Sequence, residues 1–332
     1  MNQRQVIAIF EQTRVAVVVV NFNGADYLIT CLTALAAQSR TPDLVVVVDN
    51  YSQDGSIEEA STRFPQHQYL RNTSNLGFAA GNNQALALCN EQNMEYVALV
   101  NPDAFPQDTW LAELLSVARK NPALGSVASR MMEYGCHDRV DGTGDVYHIF
   151  GIARRRGHKQ AMQAEWLEEG EVFGACAGAA LYRMDALNAV GFFDADFFCY
   201  MEDVDLAYRL QLCGYRCRYC PDAVVQHVGS ASTGYRSNFS VYHGQRNLIW
   251  TFFKNTPGPL LVLLLPGHII VNLMALGLGL VRGQFLVVLR AKIDALKGLK
   301  IFLEKRKFIQ KARSLPLSQN WQMLSKSMRP RF

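Results

Sequence analysis

The chain is expected to fold as an α/β protein around a doubly wound, mostly parallel sheet flanked by helices, and three observations lead there. VAVVVV (15–20) and LVVVVD (44–49) are continuous β-branched runs, which read as strands buried on both faces. The segments between such runs carry apolar residues at helical spacing. Finally, 332 residues, 49% hydrophobic and only 19% charged, suffice for one large core or two smaller ones.

Taken in order, ADYLITCLTALAAQ follows the first strand as a helix, and LVVVVD is the second strand. QYLRN (68–72) reads as a shorter strand, FAAGNNQALALCNEQ (78–92) as a helix and YVALV (96–100) as a strand, with a further helix from about Gln107 to Lys120. In sheets so built, ligands sit beyond the carboxyl ends of the strands. Those exits are Asn21-Phe22-Asn23-Gly24, Asp49-Asn50 and Asn101-Pro102-Asp103. Any one of them is an ordinary turn; three together, each with an amide or a carboxylate, make a candidate nucleotide site. No G-x-G-x-x-G follows the first strand and no G-x-x-x-x-G-K-[ST] occurs, so a dinucleotide dehydrogenase and a P-loop NTPase lose their main support. An Asp ending the second strand and an N-P-D after a later one fit a nucleoside diphosphate held through a metal.

Net charge is +4, but from Arg282 onward 13 Lys and Arg face only Asp294 and Glu304, leaving an acidic body. A basic tail points to an anionic surface as partner; without aromatic–basic interleaving, and with an acidic body, nucleic acid is not expected. Residues 259–281 contain no Asp, Glu, Lys or Arg, and their length suits a membrane helix. Pro266-Gly267 interrupts the stretch, and a single crossing would carry the basic tail outward, against the positive-inside bias. Lys254 and Arg282 at its flanks suggest instead an interfacial or re-entrant helical pair on the cytoplasmic face, with Trp250, Phe252 and Phe253 at headgroup level. A buried core helix is the alternative. MNQRQVIAIFEQTR has too short an apolar segment for a signal peptide, so the eight cysteines are expected as thiols. Cys213, Cys217 and Cys220 have a spacing that can hold an iron–sulfur cluster, but a strand through GYRCRYC points Cys217 and Cys220 to opposite faces.

FFCYMEDVDLAYRL (197–210) gathers Glu202, Asp203 and Asp205 behind an aromatic run. DVDLAYRLQLCG reads as a short helix with Gly214 beyond its end, Asp205 and Arg209 as i,i+4 partners and Asp203 at its N-terminal edge, where it would serve as a cap or as a base. Phe197, Phe198 and Tyr200 would wall a sugar site or pack in the core.

VVVVNFNG, VVVVDNYSQDGS, RNTSNLGFAAGNN, VNPDA and FCYMEDVDLAYRLQLCGY resemble, in order, the blocks of glycosyltransferase family 2, over about residues 14–255. YHGQRNLIWTFFKNTP is similar to the branch that transfers rhamnose or similar sugars to polyprenyl-diphosphate-linked acceptors. The resemblance implies a GT-A-type fold and an inverting transfer. It makes Asp49 a nucleobase partner, with Asn21, Asn23, Asn50 and the Asn75-to-Asn83 turn (Asn75, Gly77, Asn82, Asn83) near base and ribose. Asp103 becomes the ligand of Mg²⁺ or Mn²⁺, with Asn101 where many relatives carry a second Asp, so the donor diphosphate must supply more of the coordination. Asp203 becomes the general base, its basicity raised by Glu202. His227 would be a further metal ligand, a diphosphate contact or a core histidine; Arg246 would hold a donor or lipid diphosphate or form a structural ion pair.

The expected protein is thus a metal-dependent inverting glycosyltransferase, with a catalytic domain over 1–255 and membrane-associating helices and basic tail over 256–332. It would move a sugar, rhamnose from dTDP-rhamnose first, to a polyprenyl-diphosphate-linked saccharide in cell-envelope polysaccharide synthesis. The loop region 133–172 is expected to select the acceptor. The alternatives are another nucleotide sugar with a soluble or protein acceptor, and a membrane-tethered binding protein without catalysis.

Overall fold

The computed structural model describes residues 13–229, 234 and 236–326. Residues 1–12 of the N-terminal segment considered as a signal peptide, and the basic residues Arg329 and Arg331, lie outside the described residues. The chain opens with β1 (Val15–Asn21), α1 (Ala25–Ala36), β2 (Leu44–Asp49), α2 (Ser56–Arg63), β3 (Gln68–Arg71), α3 (Gly77–Glu91) and β4 (Tyr96–Val100). These strands pair in parallel in the order β3-β2-β1-β4. Every residue of β1 is buried, because both its faces are covered. Val15, Val17 and Val19 join one core cluster with residues of α1, while Ala16, Val18 and Val20 join another with residues of α3. Each such valine contributes roughly 1.5–3 kcal/mol by leaving water, so a polar residue at any of these positions would cost the sheet.

β5 (Ala104–Pro106) and α4 (Trp110–Lys120) lead to the long β6 (Leu124–Glu133), and β7 (Arg139–Gly142), β8 (Asp145–Tyr147), β9 (Ala153–Arg155), β10 (Gln160–Ala161) and β11 (Gly170–Val172) follow. Next come β12 (Ala179–Arg183), α5 (Met184–Val190), α6 (Glu202–Leu212) and β13 (Arg216–His227). The sheet extends as β4-β12-β6-β7-β10, with β12 antiparallel to both β4 and β6. β12 starts beside Val100 at the exit end of β4 and runs back along that strand. The sheet is therefore mixed, with its parallel half carrying the three polar exits. Cys217 and Cys220 on β13 fall in opposite core clusters, and all eight cysteines are free.

α7 (Asn238–Asn255), α8 (Gly258–Val281), α9 (Phe285–Ala312) and α10 (Leu317–Met323) complete the chain. Composition changes at residue 255, but packing runs across that point. α9 folds over α7, so that Trp250 stacks on Phe302 with centroids 4.3 Å apart and Gln310 donates to the Asn255 carbonyl at 2.9 Å. Trp250 and Phe252 are consequently buried, which corrects their assignment to headgroup level. Lys254 is buried as well, paired with Asp194 at 2.6 Å and Asp205 at 2.8 Å. Among the described residues α8 is the helix long and apolar enough to cross a membrane.

Candidate active site

The parallel register sets Asn21 directly beside Asp49. The Asn21 amide donates to Asp49 Oδ1 (3.3 Å), Ser52 Oγ (3.0 Å) and Ser56 Oγ (2.9 Å), and the Ser52 amide returns to Asp49 Oδ2 at 3.2 Å. A Cβ at Gly24 would stand 2.3 Å from Asn21 Oδ1 and 3.3 Å from Pro102, so glycine lets the exit of β1 close against the Asn-Pro-Asp turn. Asn50 donates to the Gly77 carbonyl (2.9 Å), and Asn75 Oδ1 accepts from the Gly77 amide (2.9 Å). Gly77 has φ +83°, and a Cβ there would meet Phe198 at 2.6 Å; both facts demand glycine. Asn23 accepts from the Gln53 amide at 2.8 Å on the exposed rim.

Asn21, Asp49, Asn50, Asn75 and Gly77 thus form one network around the exits of β1 and β2. Asn82 and Asn83 serve the fold: Asn82 donates to the Phe78 carbonyl, and Asn83 both donates to and accepts from the Phe193 backbone. Arg246 is likewise engaged. Its Nη2 donates to the Phe197 carbonyl at 3.0 Å, and its guanidinium lies 4.2 Å over the Trp250 ring.

At the exit of β4 the Asn101 amide donates to Gly178 (2.9 Å), while Asp103 Oδ1 stands 3.5 Å from His227 Nε2. The other ring nitrogen, His227 Nδ1, lies 2.7 Å from Asp141 Oδ2, which also meets Arg155 Nη1 at 2.5 Å. His227 Nε2 is a buried atom whose hydrogen-bonding capacity is unfilled. An imidazole oriented by a carboxylate on one nitrogen, its other nitrogen facing a second carboxylate, is the pattern of a supported metal ligand. Asp103 and His227 therefore fit a divalent cation that draws its remaining ligands from a diphosphate and water. No group of three or more His, Cys, Asp or Glu that could hold a metal by itself occurs among the described residues. Burial alone would lower the His227 pKa, but the neighbouring carboxylates of Asp103 and Asp141 outweigh that and raise it. Burial also works against the Asp141 charge, yet His158, His227 and Arg155 hold that carboxyl far below the usual range.

Asp203 stands at the head of α6, half-buried. Its Oδ2 accepts from the Ala177 amide (3.2 Å) and its Oδ1 from the Val204 amide (2.8 Å). One residue after Ala177, the Gly178 carbonyl holds Asn101, so segment 177–178 ties Asp203 to the turn that carries Asp103. Burial raises the Asp203 pKa, against the pull of those two amides. Burial and then the Asp203 charge push Glu202 much further up, and the same two causes raise Asp145. Glu202 Oε2 and Asp145 Oδ2 are both buried with unfilled hydrogen-bonding capacity. Such like-charge crowding makes these carboxyls candidates for acid–base chemistry. Asp205, by contrast, is salt-bridged to Arg209 (2.9 Å) as its spacing implied.

The loop before Asp203 is strained. Phe198, Tyr200 and Met201 all have φ between +65° and +69°, each costing about 1–3 kcal/mol. The buried Asn247 of α7 holds it, with Nδ2 within 2.7–2.9 Å of the carbonyls of Phe197, Cys199 and Tyr200. Asn247, Ser52, Ser56, Asp141, Asp145 and Arg155 were not singled out as site residues from sequence. The last three sit in the 133–172 region, whose polar pattern follows no periodicity and gains meaning only when β8–β9 folds onto the site.

Comparison with known proteins gives the family. Residues 16–191 match the model of glycosyl transferase family 2, and residues 167–278 that of glycosyl transferase family group 2. The chain belongs to glycosyl transferase family 2. The N-acetylglucosaminyl-diphospho-decaprenol L-rhamnosyltransferase of Mycobacterium tuberculosis is 29% identical over 239 residues, covering 66% of this chain and 77% of the relative. Galactofuranosyltransferase GlfT1 of Mycolicibacterium smegmatis is 30% identical over 223 residues, with 64% and 70% covered. O-antigen chain rhamnosyltransferase RfbN of Salmonella typhimurium is 22% identical over 214 residues, with 64% and 66% covered. A crystal structure of GalNAc-T7 with UDP, GalNAc and Mn²⁺ superposes with TM-score 0.58 at 13% identity, over 73% of this chain and 48% of that one. The mannosyltransferase PcManGT of Pyrobaculum calidifontis, in complex with GDP-Man and Mn²⁺, gives 0.50 at 20% identity, over 90% and 85%. This family 2 glycosyltransferase has the GT-A-type fold, and rhamnosyltransferases are among its relatives.

Proposed function

We propose that the protein transfers a sugar, with inversion, from a nucleoside diphosphate to a hydroxyl of a polyprenyl-diphosphate-linked saccharide at the cytoplasmic face of the cell membrane. Rhamnose from dTDP-rhamnose is the first candidate donor. The observation that carries this reading is the link from Asp203 through Ala177–Gly178 to the Asn101–Asp103 turn, which sets a raised-pKa carboxylate against the strand exits where a donor would lie.

Asp49 and Asn21 hold the base end of the donor, with Asn50, Asn75 and Gly77 shaping the wall beside them. Asp103 and His227 would hold a divalent cation, Mg²⁺ or Mn²⁺, which when bound would offset negative charge on the leaving diphosphate. Asp203 accepts the acceptor hydroxyl proton as that oxygen bonds to the anomeric carbon. The bond from that carbon to the diphosphate oxygen breaks on the opposite face, and the nucleoside diphosphate departs. Burial keeps Glu202 the more readily protonated of the two acids, which leaves Asp203 as the member of the pair that is ionised and able to take up the proton. The relatives named for polyprenyl-linked and O-antigen chemistry support the acceptor class.

A thermal-shift screen of nucleotide sugars with Mg²⁺ or Mn²⁺, followed by transfer assays onto polyprenyl-diphosphate-linked N-acetylglucosamine, tests the proposal. Stabilisation by one donor and transfer to the lipid-linked acceptor are expected. Transfer only to a soluble acceptor would overturn the acceptor assignment, and donor binding without turnover of any acceptor would overturn catalysis.

A further inference from the structure

We infer that α8 and α9 together form an in-plane docking surface for an anionic phospholipid bilayer, so that the protein rests on one leaflet without crossing it. The inference rests on the lipid-linked acceptor reading above and adds to it the surface, its orientation and its headgroup chemistry.

The first support is how α8 is tethered. At its start, Arg306 donates to the carbonyls of Phe253 and Thr256. At its middle, His268 stacks on Phe252 with centroids 3.9 Å apart, and its Nδ1 lies 2.9 Å from the Phe150 carbonyl. Just beyond its end, Gln284 donates to the Arg236 carbonyl and to Asn238 Oδ1, each at 3.0 Å. A 24-residue helix is about 36 Å long, roughly the thickness of a hydrocarbon core. A crossing would need one end to leave the body, yet start, middle and end are all fastened to it.

The second support is the outward face. Val262, Ile269, Leu273 and Leu280 recur at helical spacing and are 75%, 49%, 61% and 64% exposed. No charge interrupts the stripe. On α9 the inward face (Val288, Ala291, Ala295, Phe302) is buried, while Leu286, Ile293 and Phe308 are 76%, 43% and 76% exposed. Arg290, Lys297, Lys300, Lys307 and Lys311 interleave with them. Over Phe285–Ala312, what reads in sequence as a basic tail is thus a long helix whose outer surface mixes apolar side chains with long cationic ones. That composition suits an interface helix, whose Lys and Arg reach up to headgroups while apolar residues enter the acyl boundary.

Charge complementarity selects the occupant. A second copy docked symmetrically on this face would oppose its own cations, whereas anionic lipid neutralises them. The surface also lies close to the site. A crevice of about 320 Å³ lined by Phe239, Tyr242, Val287 and Arg290 opens between α7 and α9, and Phe239 lies 6.2 and 6.3 Å from the rings of Phe198 and Tyr200 in the loop before Asp203.

Flotation of the full chain with phosphatidylcholine vesicles, with and without phosphatidylglycerol, tests the inference. Binding to the anionic vesicles only, weakened by salt, is expected. Leu273→Glu and Phe308→Glu should each lower the partition at least tenfold, and Lys297→Glu with Lys300→Glu at least fivefold, without loss of transfer to a water-soluble, short-chain acceptor analogue. An Arg282→Cys variant in inverted membrane vesicles should react with an impermeant maleimide at position 282, located by mass spectrometry. Labelling only from the opposite side would show a crossing and overturn the inference. A soluble dimer in buffer that ignores both vesicle types would overturn it in favour of a second copy. Vesicle docking with no transfer to any acceptor would leave the docking surface standing and remove the catalytic reading alone.

Discussion

At the head of α6 the fold treats two neighbouring acids differently. Asp203 keeps two backbone amides as partners, while Glu202 is packed away with one oxygen unfilled. If Asp203 is the base, Asp203→Asn removes proton acceptance without changing shape, and turnover should fall about 10²–10⁴-fold while the donor Kd stays within about threefold. Activity near wild type would return Asp203 to a capping role. Glu202→Gln probes the crowding. A carboxyl whose folded pKa is raised contributes stability below its unfolded value and loses it as pH rises through the folded value. The uncharged amide should therefore raise Tm by about 2–4 °C at pH 8 and by less at pH 5, in paired calorimetric scans. At the third exit, Asp103→Ala should weaken metal-dependent donor binding far more than Asn101→Ala, because Asp103 alone there carries charge and faces His227. Titration calorimetry with and without EDTA decides; equal losses would refute a cation at this turn.

α6 is held by a buried charge cluster at its inner face. Asp205 meets Arg209, Lys254 and Asn255, and Lys254 also pairs with Asp194. Burial disfavours the Asp205 charge, but Lys254 and Arg209 outweigh it and bring the carboxyl down from 3.8 to about 2. Its stabilising effect is thus present above the unfolded value and is lost as pH falls through the folded one, so this element should loosen between pH 4 and 2. Lys254→Met leaves two buried carboxylates short of a partner, and should cost roughly 3–5 kcal/mol in urea melts at pH 7. A loss under 1 kcal/mol would mean that Arg209 and Lys305 compensate.

For the molecule as a whole, composition changes at residue 255, whereas side-chain packing runs across that point. A chain ending at Lys254 loses Phe302 from the cluster with Phe197 and Trp250, and Lys305 from Asp194 and Asp196. It also loses the Leu212 carbonyl's bonds to Ser314 and Leu315. Such a truncation should fail to melt cooperatively and should lose donor binding together with membrane attachment. A truncated chain that keeps a sharp melt and wild-type donor affinity would restore the two-part division.

Local pattern was sufficient for the parallel half of the sheet and its three exits. The reason is that a strand buried on both faces has no alternative to a run such as VAVVVV, and its end must be polar. The bonds among Asn21, Asp49 and Asn50 follow from register between adjacent strands, so candidates picked singly came together. On α3, Asn82 and Asn83 look like site amides in sequence, and in the fold Asn82 donates to the Phe78 carbonyl while Asn83 bridges the Phe193 backbone. Arg246 likewise carries a diphosphate-like signal and is taken by the Phe197 carbonyl and the Trp250 ring. Asp141, Asp145 and Arg155 had no legible pattern, because their meaning depends on the β8–β9 hairpin lying over Asp203. Residue types alone marked the tail as apolar and then basic. Only the tertiary structure, by burying Trp250, Phe252 and Lys254 beneath α9 while leaving one face of α8 uncovered, decided which of those side chains hold the fold and which are left to meet another surface.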